Sequence, residues 1–118
     1  MRVMVIYRGL TDRPMNAAYA AECDRFNQEL VAAGLVVAGE PLMPSRHAKR
    51  VRFRPRKTIV LDGPFAETRE IVAGYSIWRV ESMEEALDWL TRHPMPPDFE
   101  QAEMDVYPLY EWPDHRPE

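Results

Sequence analysis

Apolar and polar positions recur along this chain with two periods, and the changes of period mark its elements. Residues 2–7, RVMVIY, form a short apolar run of β-branched and aromatic content, which predicts a buried strand. The period then lengthens. Tyr19, Cys23, Phe26, Leu30 and Ala33 recur at steps of four, three, four and three, with Glu22, Asp24, Arg25, Gln28 and Glu29 off the stripe. This predicts an amphipathic helix over 16–33, opened by Pro14 or capped by Asn16, with Gly34 as the left-handed residue that ends it. LVVAGEPLM, 35–43, predicts a second strand whose Pro41 belongs at an edge or a bulge.

KRVRFR, 49–54, alternates strictly. It predicts a half-buried antiparallel strand with Val51 and Phe53 on one face and Arg50, Arg52 and Arg54 on the other. Pro55 interrupts it, and KTIVL, 57–61, resumes as a strand. After the loop DGPFAETRE comes GYSIWRVE, 74–81, another strand. Ser82 with Glu85 three residues later is a capping box. It opens a helix over 83–93 with Met83, Ala86, Leu87 and Leu90 facing inward, stopped by Pro94. A last strand is expected over 102–112.

The order is β-α-β-β-α-β with an inserted hairpin. It implies an α+β fold, an antiparallel sheet carrying two helices on one face. The other sheet face is left bare, and contiguous apolar patches are rare on monomers. A homodimer joined face to face through the sheet is therefore expected.

Composition narrows the class. The chain has 118 residues, 46 % hydrophobic and 29 % charged, which suits one globular domain. That domain is expected over 1–112, with 113–118 as a tail. No apolar run approaches the roughly 18–20 residues of a membrane span. The N-terminal stretch lacks the apolar core and cleavage site of a signal peptide, so a cytoplasmic location is expected. A single cysteine, Cys23, excludes an internal disulfide and a cysteine-based metal site, and suits a small core residue.

Charge is unevenly spread. The net charge is −4, yet residues 46–57 hold seven of the fifteen Lys and Arg, while residues 98–118 hold seven acids and one Arg. The stripe of Arg50, Arg52 and Arg54 has three readings: phosphate binding, a solvated edge that discourages aggregation, or pairing with the acidic C-terminal segment within or between subunits. The overall acidity argues against nucleic acid.

LDGPFAET, 61–68, followed by GYSIWRVESMEEALDWL, resembles the YCII-related proteins, in particular the branch named for its DGPF motif. The helix ending in AAG before LVVAGEPLMP and the closing EMDVYPLYE are similar to that branch too. The resemblance covers roughly residues 1–111. It implies a ferredoxin-like, dimeric α+β barrel with a pocket near the dimer interface and Asp62 close to it. It does not imply one reaction. Some relatives lie beside or fused to sigma factors of the extracytoplasmic-function type, and others in the wider superfamily perform dehydrochlorination or lactone isomerisation. One branch carries a His and an Asp on and just after the first helix. Here 16–33 contains no histidine, and those places fall on Cys23 and Ala32, so that dyad is missing.

Candidate chemistry centres on the motif. Asp62 sits at a strand end on a corner stiffened by Pro64. It suits a turn residue accepting backbone N–H groups, or a pocket carboxylate acting as a general base or a hook for a polar ligand. Phe65, Tyr75 and Tyr7 suit core or interface packing, or the walls of a site for a planar ligand. His47 lies in a loop able to face either solvent or the pocket. His93 is placed to complement a helix dipole, and His115 lies in the tail. The three histidines lack metal-binding spacing, and no phosphate loop or nucleophile elbow occurs, so no metal or cofactor is expected. Two functions stay open. One is a small organic ligand with cofactor-free proton transfer. The other is a non-catalytic module serving a sigma factor or another protein.

Overall fold

A computed structural model describes residues 1–8, 17–67, 71–94 and 102–111. The expected caps Pro14 and Asn16, Thr68 of the motif, His115 and the tail lie outside these residues. The elements run β1 (Arg2–Arg8), α1 (Ala17–Ala32), β2 (Val36–Pro41), β3 (Lys49–Arg54), β4 (Lys57–Asp62), β5 (Val72–Arg79), α2 (Met83–Leu90) and β6 (Glu103–Pro108), with a 3-10 turn at Ser45–His47.

Four strands form one antiparallel sheet in the order β2-β5-β1-β6. Two helices and this order make an α+β fold of the ferredoxin-like kind. The period-2 pattern decides the faces. Val3 pairs with Trp78 and Val5 with both Ser76 and Val106. Val3, Val5 and Trp78 are fully buried beneath Phe26 and Leu30 of α1 and Ala86 of α2. Trp78 donates its indole N–H to Ser76 Oγ at 2.7 Å, so the largest core side chain leaves no polar atom unpaired. The opposite face carries Met4, Ile6, Tyr75, Ile77 and Tyr107, with Tyr107 53 % exposed.

The first helix ends as its sequence requires. Gly34 takes φ 78, Leu35 N–H reaches the Leu30 carbonyl at 3.1 Å, and Gly34 N–H reaches Val31 at 3.0 Å. This is the Schellman arrangement, closed by buried Leu35. Of the expected stripe, Tyr19, Phe26 and Leu30 are buried and Cys23 is half-buried. Ala33 is exposed because the helix stops one residue before it. In α2, Ser82 Oγ accepts from Glu85 N–H at 3.1 Å, as the capping box demands. Leu87, expected inward, is 48 % exposed. Trp89 packs on the core instead, edge-on to Phe26 with 6.3 Å between centroids.

The hairpin departs most from expectation. β3 and β4 form a two-stranded sheet of their own. Val51 is 49 % exposed and Phe53 76 %, while Arg50 and Arg52 are half-buried. Alternation decides which side chains share a face. It does not decide which face is covered, and here the arginine face leans on the chain.

Candidate functional site

The corner at 62–65 is built by close packing against the 3-10 turn. Gly63 N–H donates to the Ala48 carbonyl at 2.9 Å, and Phe65 N–H donates to Ser45 Oγ at 3.1 Å. A Cβ on Gly63 would lie 1.7 Å from the Ser45 carbonyl oxygen, so only glycine lets the two backbones meet. The Gly63–Pro64 peptide is cis. Arg50 lays its guanidinium over the Phe65 ring, 4.0 Å from the centroid.

Beside this corner lies an open cleft of about 350 Å³. Leu42, Met43, His47, Phe65, Ile71 and Val72 form most of its wall. Phe65 and His47 are thus the two candidates that the fold brings together. The apolar wall is supplied by residues the sequence reading passed over. Their signal was the run Leu42-Met43 after Pro41, which reads as a strand end.

Asp62 stands at the base of the hairpin. Its carboxylate accepts from Lys49 Nζ at 2.6 Å, and its side chain is 75 % exposed. Tyr75 lies elsewhere, on the open sheet face, opposite Ile6 and Glu40. Tyr7 points to the other side of the sheet. Its ring meets His93 at 5.6 Å between centroids, and burial pushes its hydroxyl up to about 12, against a hydrogen bond with Ser76. The five candidates therefore occupy four places in one chain.

The region around Tyr7 is a second cluster of titratable groups. His93 packs against Phe26 at 4.9 Å, and its Nδ1 lies 2.8 Å from the Pro94 carbonyl. Burial lowers its pKa, with the Pro94 bond opposing. Burial thus works against the charge that a helix-dipole role for His93 would need. Tyr19 hydroxyl donates to the Pro94 carbonyl at 3.4 Å. Burial raises the Cys23 thiol, despite a hydrogen bond with Tyr19, so this cysteine is not an activated nucleophile. Ala32 is exposed at the end of α1, so no acid–base pair forms where the related branch carries its dyad. No group of three His, Cys, Asp or Glu converges among the described residues. Among them, too, no helix is long and apolar enough to cross a membrane.

Residues 1–113 match the YCII-related domain. The chain belongs to the YCII-related family. A curated relative, an uncharacterized protein of Rhizobium meliloti (strain 1021), is 39 % identical over 62 residues. That match covers 52 % of this chain and 50 % of the relative, so the chain matches about half the length of that protein. The YCII-related fold thus frames a cleft beside Gly63, and the cleft's chemistry rests on the residues described above.

Proposed function

We propose that this YCII-related protein, of the branch named for its DGPF motif, binds a small organic molecule in the cleft beside residues 62–65. The observation that carries this reading is the cleft itself. It is a largely apolar recess of about 350 Å³, with a phenyl ring on its wall and an imidazole beside it. Such recesses favour compact, partly aromatic ligands, oriented by a few polar groups. His47 and the Arg50 guanidinium over Phe65 would supply that orientation. Asp62 serves in this reading at the rim. Its ion pair with Lys49 pins the hairpin base beside the cleft, and proton transfer by Asp62 would require Lys49 to swing away. The protein works as a homodimer joined through the open sheet face, which carries Tyr75 and Tyr107.

The experiment is a thermal-shift screen of small organic metabolites on the wild type, Asp62→Asn and Met43→Glu. Met43 is 70 % exposed, so its substitution spares the core and places a charge on the cleft wall. A ligand of this cleft raises Tm for the wild type and for Asp62→Asn, but not for Met43→Glu. A hit lost in Asp62→Asn moves Asp62 from the rim into the site, and turnover lost with it would make Asp62 the base. A library without hits, or hits indifferent to Met43→Glu, refutes the cleft and turns the search toward a protein partner.

A further inference from the structure

The hairpin β3–β4 is left unexplained by the cleft. It stands apart as a two-stranded sheet held at its base by Lys49–Asp62 and by the contacts of Gly63 and Phe65. Two-stranded sheets are marginal in water unless something covers them. The chain measures 48 × 42 × 20 Å with a radius of gyration of 16.3 Å. A compact domain of this length would have about 13.5 Å. Along one face of the arm, Val51 pairs with Val60, and Phe53 follows opposite Thr58. These three apolar side chains are 49 %, 63 % and 76 % exposed. The turn adds Arg54, Arg56 and Lys57 at the tip.

We infer that this arm packs onto a second copy of the same chain, with Val51, Phe53 and Val60 as its contact face. The inference rests on the homodimer proposed above and adds the arm as an element that reaches onto the same sheet face of the partner. Charge argues for the second copy. Residues 46–62 hold seven Lys and Arg against one acid, while the rest of the chain holds eight against eighteen acids. A basic arm and an acidic body on one chain are complementary between copies. The open sheet face supplies apolar surface of the right kind, in Met4, Ile6, Ile77 and Tyr107. At its margins Glu40 on β2 and Glu103 on β6 offer carboxylates, while Asp105 is already held by Arg8 at 2.6 Å, and Arg2 and Arg79 pair on the same face. The arm's apolar face meets the apolar surface, and its cationic tip meets Glu40 and Glu103.

The test is the dissociation constant of the dimer, by sedimentation and light scattering over a concentration series. Four proteins are compared: wild type, Phe53→Ser with Val60→Ser, Arg54→Glu, and Tyr107→Glu. The first three sites are exposed on the arm and the last on the open face, so none should unfold the body, and circular dichroism checks that. Both arm variants should raise Kd by about tenfold or more, as loss of an anchoring side chain does. Added salt should weaken the wild-type dimer more than the Arg54→Glu dimer. Arm variants that dimerise like the wild type, while Tyr107→Glu dissociates, overturn the arm inference and leave the sheet-face dimer standing. The reverse pattern keeps the arm in the dimer but overturns the open sheet face as the surface it meets. A wild type that stays monomeric at about a hundred times the concentration of a micromolar complex refutes both. A monomer whose arm instead binds DNA or anionic vesicles, and loses that binding in Arg54→Glu, overturns the second copy as occupant.

Discussion

Gly63→Ala isolates the packing that shapes the corner. The added methyl carbon would lie 1.7 Å from the Ser45 oxygen and 2.7 Å from its carbonyl carbon, both main-chain atoms. No flexible side chain is available to yield, so the 62–65 segment and the 3-10 turn must separate. Separation breaks Gly63 N–H to Ala48 and Phe65 N–H to Ser45. Each such bond contributes about 1 kcal/mol net. The forced backbone shift adds about 1–2 kcal/mol more. The expected loss is about 3–4 kcal/mol. An unfolding entropy of about 2.1 cal/mol/K per residue scales this to a fall in Tm of roughly 12–16 °C for this chain. Gly34→Ala is the control. Gly34 has open space around its missing Cβ and a φ of 78, so the substitution carries torsional strain alone. That costs about 1 kcal/mol. Thermal unfolding by circular dichroism, at one matched protein concentration, compares the two variants. A Gly63→Ala protein that melts within a few degrees of wild type, or above Gly34→Ala, refutes the steric account.

Three further outcomes are expected. Arg56 holds φ 67 after Pro55 in the hairpin turn, where type II geometry favours glycine, so Arg56→Gly should stabilise the protein by about 0.5–1 kcal/mol in urea titration; no gain would mean that the turn is unstrained. Ser82→Ala removes the cap on Glu85 N–H and should lower stability by about 1 kcal/mol in the same assay, and an unchanged midpoint would show the cap to be idle. Burial holds His93 below its ordinary 6.5, so unfolded chains bind its proton more readily than folded ones. The His93 contribution is therefore full above pH 6.5 and lost as pH falls through the lowered folded value. His93→Gln should flatten that part of the stability profile, and an unaltered slope would place its origin in other groups.

The α+β order was legible because each main element carries its own periodicity and its own stop signal. The 3.6-residue stripe of α1 ends at Gly34, and Ser82 caps α2 through Glu85. These are local matters, settled within a few residues of chain. The candidate site was legible only in part. Phe65 and His47 share the cleft, because Gly63 brings the motif against the turn that carries His47. Tyr7 and Tyr75 fall on opposite sides of the sheet, since Tyr7 pairs with Gly74 while Tyr75 pairs with Ile6.

Burial of the hairpin faces was not legible either. Strict alternation in KRVRFR is the same whether the arginines or the Val51–Phe53 face is covered. The sequence by itself determined the order and type of the elements, the cap at Ser82 and the need for glycine at residue 34, while strand and helix ends shifted by up to four residues. Only the tertiary structure decided that Gly63 must also be glycine, that His93 is packed between Tyr7 and Phe26, and that the arm stands free of the sheet. Those outcomes depend on contacts between segments far apart in the chain, and no local pattern encodes which distant surface a side chain will meet.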